Sequence, residues 1–107
     1  MVMMVVTTIR IPTKRRPTPP GEMLAEEFLK PLKMTQKELA TRIRVSLPRV
    51  NEIMRGKRSI TPDTALRLAR LFKTTPEFWL HGQLAWDLYH ATHSGAAKEI
   101  EKIRPVA

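Results

Sequence analysis

Seven basic residues, Lys37, Arg42, Arg44, Arg49, Arg55, Lys57 and Arg58, stand between positions 35 and 60 against two acids, Glu38 and Glu52, a local net charge of +5 in a chain of net +9. The chemistry open to such a cluster is the pairing of cations with a polyanion, and a phosphate backbone is the polyanion whose spacing it suits. Interleaved among these charges are Leu47, Arg49, Asn51, Glu52 and Arg55, a mixed set on one outer face that a monomeric core would not require but a base-reading surface can use. The rest of the chain does not share the excess. Residues 1–20 hold four bases and no acid, residues 21–34 sum to −1, and residues 61–107 to +1.

Catalytic chemistry has a poorer footing. The three histidines are His81, His90 and His93, and His90 and His93 stand at the i, i+3 spacing that can hold a metal. No HExxH-type carboxylate pattern accompanies them, and neutral surface histidines account for them. The chain shows no glycine-rich phosphate loop, nucleophile elbow or paired acid motif, so no catalytic residue, metal site or cofactor is expected. With no cysteine there is neither a disulfide framework nor a thiolate metal site, in keeping with a reducing compartment.

The elements that must position the basic cluster are two short capped helices and a tight turn, spanning Thr35 to Gly56. Thr35 and Glu38 have the spacing of a capping box, and Leu39, Ala40 and Ile43 fall on one buried face. Ala40 is small where two helices cross. Ser46 is a good N-cap for the second helix, Pro48 sits in its first turn where a missing N–H costs little, and Val50, Ile53 and Met54 face inward. Gly56 suits the left-handed residue that ends it, and the following Lys57 and Arg58 can lie against phosphates. The stretch reads as a helix-turn-helix, with an ordinary helical hairpin, which would carry the same caps without needing that outer face, as the alternative.

Around the motif the scaffold reads as all-α. A first helix should begin near Pro20, bury Leu24 and Phe28, pair Glu26 with Lys30 and fray before Pro31. Thr61, Pro62 and Asp63 open a fourth helix whose Ala65, Leu66, Leu68, Ala69 and Phe72 supply core, with Ile60 closing the preceding loop inward. Thr75, Pro76 and Glu77 repeat the start signal for a fifth helix running to Ser94 or Gly95. That helix carries two apolar arcs, Leu80, Leu84, Leu88 and Ala91 on one side and Phe78, Trp79, Ala85, Trp86 and Tyr89 on the other. One small core cannot cover both, so the leucine arc is expected to meet either the same helix of a second copy or the folded-back tail AAKEIEKI. Gly82 permits a close crossing or a kink.

Before the first helix, residues 12–20, PTKRRPTPP, form a stiff extended linker that either lies along DNA or is simply solvated. Residues 1–11, MVMMVVTTIRI, have strand composition; they are too short to span a bilayer and lack the basic start and small-residue cleavage site of a secretory signal. A lone strand would pair with another copy, pair with a partner protein, or stay disordered. The organisation expected is therefore an arm at 1–19, a helix-turn-helix domain at 20–94 and a tail at 95–107, in the cytoplasm and not in a membrane.

The segments PPGEMLAEEFL, MTQKELATRI, VNEIMRGKRSITPDTALRLARLF and TPEFWL followed by Gln83 resemble the HigA-type antitoxins, from about Pro19 to Leu88. The resemblance implies a five-helix fold similar to the phage repressors. It further implies a homodimer that represses its own operon by binding double-stranded operator DNA, and that neutralises a HigB-type toxin, a RelE-like ribonuclease cleaving mRNA on the ribosome. By the shared pattern Ser46, Leu47, Arg49 and Asn51 would face the major groove. Gln36, Arg55, Lys57 and Arg58 would bind phosphates, and Leu80, Leu84 and Leu88 are placed at the dimer interface. A regulator of the same fold without a toxin partner is the alternative. Two positions depart from the pattern: Arg44 stands where phage repressors favour glycine in the turn, implying strain on the order of 1 kcal/mol, and Gly82 replaces an apolar residue.

Overall fold

The computed structural model describes residues 15–106. The expectations for the apolar stretch 1–11 and for the first residues of the linker lie outside that range. Pro19 is extended (φ −60°, ψ 141°), and α1 starts at Pro20, whose ring presets the helical φ where no N–H partner is needed. α1 comprises Pro20–Met23, a π-helical segment Leu24–Leu29 and a last turn Lys30–Leu32. α2 is Gln36–Ile43, α3 Leu47–Met54, α4 Pro62–Phe72, α5 Pro76–Thr92 and α6 Ala97–Glu101. Every described element is helical, and no helix among the described residues is long and apolar enough to cross a membrane.

The N-termini of α2 to α5 share one device. Thr35, Ser46, Thr61 and Thr75 each accept the backbone N–H three residues on, satisfying one of the donors a helix start leaves orphaned. At Thr35 the box is reciprocal: Glu38 N donates to Thr35 Oγ1 at 3.0 Å and Thr35 N to Glu38 Oε1 at 2.9 Å. The C-termini share another. Lys33, Arg44, Gly56 and Lys73 all adopt the left-handed region, with φ of 54°, 60°, 72° and 59°. In each case the next residue's N–H reaches five back, as in Val45 to Ala40 O at 3.0 Å and Lys57 to Glu52 O at 2.8 Å. Only Gly56 takes that conformation freely. The strain expected at Arg44 is thus present at Lys33 and Lys73 as well, about 1–2 kcal/mol at each.

Two expectations need correction. α1 does not fray before Pro31 but continues to Leu32, because the turn ahead of the proline widens: Lys30 N–H donates to Ala25 O, five residues back. A proline ring collides with the carbonyl four residues earlier in a regular α-helix, and the π-helical turn moves that carbonyl away. Leu66 is 61 % exposed. The buried stripe of α4 is Thr64, Ala65, Leu68 and Ala69, and one residue of rotation, 100°, carries position 66 outward.

The core is closed by aromatic contacts between the first and last large helices. Phe28 lies 4.9 Å, centroid to centroid, from both Phe72 and Trp79. Trp79 is fully buried and donates from Nε1 to Thr74 Oγ1 at 2.8 Å. Burying an indole of 150–250 Å² contributes roughly 4–6 kcal/mol before entropy is counted. An exposed ion pair such as Lys30–Glu26 (2.8 Å) contributes at most about 1 kcal/mol. Packing therefore sets the fold, with Leu24, Leu39, Val50, Ile53 and Leu68 filling the space between.

α1 crosses α3 at Gly21 so closely that a Cβ there would overlap the Ile53 carbonyl, a backbone group that cannot swing aside. Nothing lies within 4 Å of the corresponding position at Gly95. Gly21→Ala should accordingly destabilise the chain by about 1–3 kcal/mol in a denaturant titration, the cost of overpacking. Gly95→Ala should leave the midpoint where it is. Equal stability of the Gly21 variant would show that α1 does not pack on the end of α3.

Candidate nucleic-acid interface

α2, the turn Arg44–Val45–Ser46 and α3 form the outer edge of the domain. Val50 and Ile53 are buried beneath α3, and Leu39, Ala40 and Ile43 beneath α2, which leaves the opposite faces to solvent. On that outer surface Thr35, Gln36, Lys37, Leu47, Pro48 and Asn51 line one shallow recess. Asn51 Nδ2 donates to Gln36 Oε1 at 3.2 Å, so the two amides orient one another across the helix pair. Leu47, the first residue of α3, is 44 % exposed beside them. Ser46 Oγ accepts the Arg49 N–H at 3.3 Å as the cap of α3, and its own proton is left to donate outward. The structure thus brings Gln36, Leu47 and Asn51 together around one recess, with exposed Ser46 just before Leu47.

Arg49 is placed differently. Its Nη2 donates to Asp63 Oδ2 at 2.8 Å and to the buried Thr64 hydroxyl at 2.6 Å, both at the start of α4. Asp63 in turn accepts from Arg67 Nε at 2.9 Å, and Arg67 Nη1 reaches back to the carbonyls of Ile43 (2.8 Å) and Arg44 (3.2 Å) in the motif turn. The hydrogen bond from Arg67, followed by that from Arg49, holds the Asp63 carboxyl below its usual range, so it stays charged through neutral pH. Similarly, the Glu38 carboxyl is held low by the Thr35 backbone and side chain in the capping box.

Of the phosphate-binding candidates, Gln36 lines the recess, and Arg55, Lys57 and Arg58 lie at the other end of α3. Arg55 and Lys57 are exposed and make no ion pair among the described residues, whereas Arg58 is bound to Glu52 through Nη2 (2.7 Å) and Nε (2.8 Å). An exposed pair of this kind contributes at most about 1 kcal/mol, so a phosphate can displace the carboxylate at small cost. The loop that carries Lys57 and Arg58 is pinned from inside the domain. Buried Gln83 on α5 accepts the Ile60 N–H at 2.8 Å and donates to Asp87 at 3.0 Å. The contacts of Gln83, Thr64 and Arg67 have no local signature in the amino-acid sequence. The i, i+4 spacing of Asp63 and Arg67 was visible there, but nothing local shows that both meet the motif.

α5 leaves an apolar margin. Leu80 packs against the domain's own core, while Leu84 and Leu88 are 44 % and 37 % exposed. The tail does not cover them: Ile100 and Ile103, its large apolar residues, are themselves exposed. Gly82 does not serve a close backbone crossing, since the nearest atom to a Cβ there is the Met23 methyl at 3.9 Å, and α5 runs through it unbroken. On the far side Arg16 stacks over Trp86 at 5.0 Å. His93 stacks on Tyr89 at 4.2 Å, and no group of three metal-ligating side chains occurs among the described residues.

A capped helix pair held on an all-α scaffold, with a polar outer face and exposed cations at its end, defines a helix-turn-helix protein. The family model for the helix-turn-helix matches residues 26–79. Over 94 residues the chain is 39 % identical to antitoxin HigA-1 of Vibrio cholerae, covering 88 % of each. It is 51 % identical over 69 residues to virulence-associated protein I of Dichelobacter nodosus, 64 % of either chain. Among solved structures, the Pseudomonas aeruginosa antitoxin HigA with the higBA promoter matches with a TM-score of 0.79 at 39 % identity, over 86 % of this chain and 100 % of that one. The chain belongs to the helix-turn-helix family, among its HigA-type antitoxins.

Proposed function

We propose that this chain is the antitoxin of a two-component addiction module: it binds and neutralises a HigB-type mRNA-cleaving toxin and, as a homodimer, represses its own operon by binding operator DNA. The observation that carries the DNA half is the outer recess where Gln36, Leu47 and Asn51 meet, with exposed Ser46 just before Leu47 and with Arg55 and Lys57, which make no ion pair among the described residues, at the far end of α3. In this reading Ser46, Leu47 and Asn51 meet base edges, and Gln36, Arg55, Lys57 and Arg58 fix the register on phosphates. The likeness to a HigA antitoxin solved with its promoter supports it. The toxin half rests on the family.

The two roles should separate by mutation. Asn51→Ala combined with Lys57→Ala touches no buried side chain, so the domain should fold, while a reporter driven by the DNA upstream of this reading frame should be derepressed. Co-expressed with the protein encoded beside it, the same variant should still restore growth. If the neighbour is not toxic, or the intact chain fails to suppress it, the antitoxin reading fails and a stand-alone regulator is the better account.

Dimerisation answers a geometric need, since paired recognition helices must lie about 34–36 Å apart to meet successive turns of one duplex face. Leu84 and Leu88, with Leu80 at their inner edge, supply the apolar strip that a second α5 would cover. Leu84→Glu should shift sedimentation from dimer to monomer with little change in thermal stability, because the side chain is already half in water in the single chain. A dimer that survives this change would place the interface elsewhere.

A further inference from the structure

We infer that Asp63 is a positioning residue for DNA reading, and that Arg49 acts through it to fix the tilt of α3 and does not itself touch a base. The inference rests on α3 being the DNA-reading helix. Three pieces of the domain converge on one carboxylate oxygen: Arg49 from α3 at 2.8 Å, Arg67 from α4 at 2.9 Å and, through Arg67, the carbonyls of Ile43 and Arg44 in the turn. Arg44 holds a left-handed conformation with a full side chain, and the end of α2 leaves carbonyls without helical partners. Arg67 satisfies two of them.

Arginine reads guanine by presenting a two-donor edge to O6 and N7. The Nη2 of Arg49 is already shared between the half-exposed Asp63 carboxylate and the buried Thr64 hydroxyl, and Arg49 is not among the residues lining the recess of Gln36, Leu47 and Asn51. Withdrawing Arg49 would leave the Asp63 carboxylate half-neutralised beside a helix that must approach phosphates, which opposes binding by like-charge repulsion. Readout side chains need their geometry held within about 0.5 Å and 10–20°. A bridge across the turn, α3 and α4 adds a directional constraint to the non-directional apolar packing beneath Val50 and Ile53.

The test begins with the wild-type chain selecting a duplex from a randomised pool; failure to enrich any sequence would sink DNA reading itself, apart from this inference. With the enriched duplex as probe, Arg49→Ala and Asp63→Asn should each weaken binding roughly tenfold, as coupled neighbours do, and the double variant should be no weaker than the weaker single. Single-base substitutions in the duplex should keep the wild-type rank order with both variants, and the salt slope should not change, because no phosphate contact is lost. Loss of preference at one base position with Arg49→Ala would overturn the inference. So would unchanged or tighter binding by Asp63→Asn, since freeing a base-reading arginine would do that. If Arg49→Ala does not fold, the isosteric Asp63→Asn decides alone: weaker binding with preserved base order supports the bridge, and any other result rejects it.

Discussion

Burial of Trp79 against Phe28 and Phe72 is the contact on which the remaining architecture depends. It joins α1 and α4 to α5, and α2 and α3 pack on that frame as its outer edge. A closure of this size outweighs any surface ion pair several-fold. It also explains why the outer helix pair can remain polar. Val50, Ile53, Leu39 and Ile43 give α2 and α3 an apolar floor, and the exposed faces need contribute nothing to stability. The domain can therefore carry strong local positive charge on its reading edge, at a modest cost in self-repulsion, because the core sits elsewhere.

Polar contacts have a different part: they contribute direction more than energy. Gln83 holds the loop of Lys57 and Arg58 from within, and the Arg49–Asp63–Arg67 chain spans the turn. By contrast, the Gln36–Asn51 amide pair, at 3.2 Å, and the exposed Arg58–Glu52 pair are weak enough to be exchanged for nucleic-acid partners. The molecule thus separates rigid ties beneath the reading face from exchangeable ones upon it.

Much of this was legible in the chain because the signals are local. Thr35, Ser46, Thr61 and Thr75 cap the helices expected of them, Gly56 takes the left-handed position, Glu26 pairs with Lys30, and Arg44 bears the strain its side chain implies. What local pattern does not contain is the partner across space. Pro31 reads as a stop unless a π-helical turn precedes it, and Leu66 reads as core until the rotation of α4 is fixed by what Ala65 and Leu68 pack against. Arg49 sits fourteen residues from Asp63, and its position on α3 gives no hint that it turns aside. Leu84 and Leu88 were expected at an interface and are exposed, while Leu80, grouped with them, is drawn into the core.

The central claim is that the face of Gln36, Ser46, Leu47 and Asn51 meets DNA. Titrating the isotopically labelled chain with a duplex from upstream of its own reading frame, and following amide and side-chain resonances by NMR, tests this most directly. The account predicts the largest shifts at the side-chain amides of Gln36 and Asn51, the Leu47 methyls and the backbone of Lys57 and Arg58, with the Trp79 indole unmoved. Shifts concentrated on Leu84, Leu88 and the outer side of α5, with Asn51 and Leu47 unchanged, would contradict it.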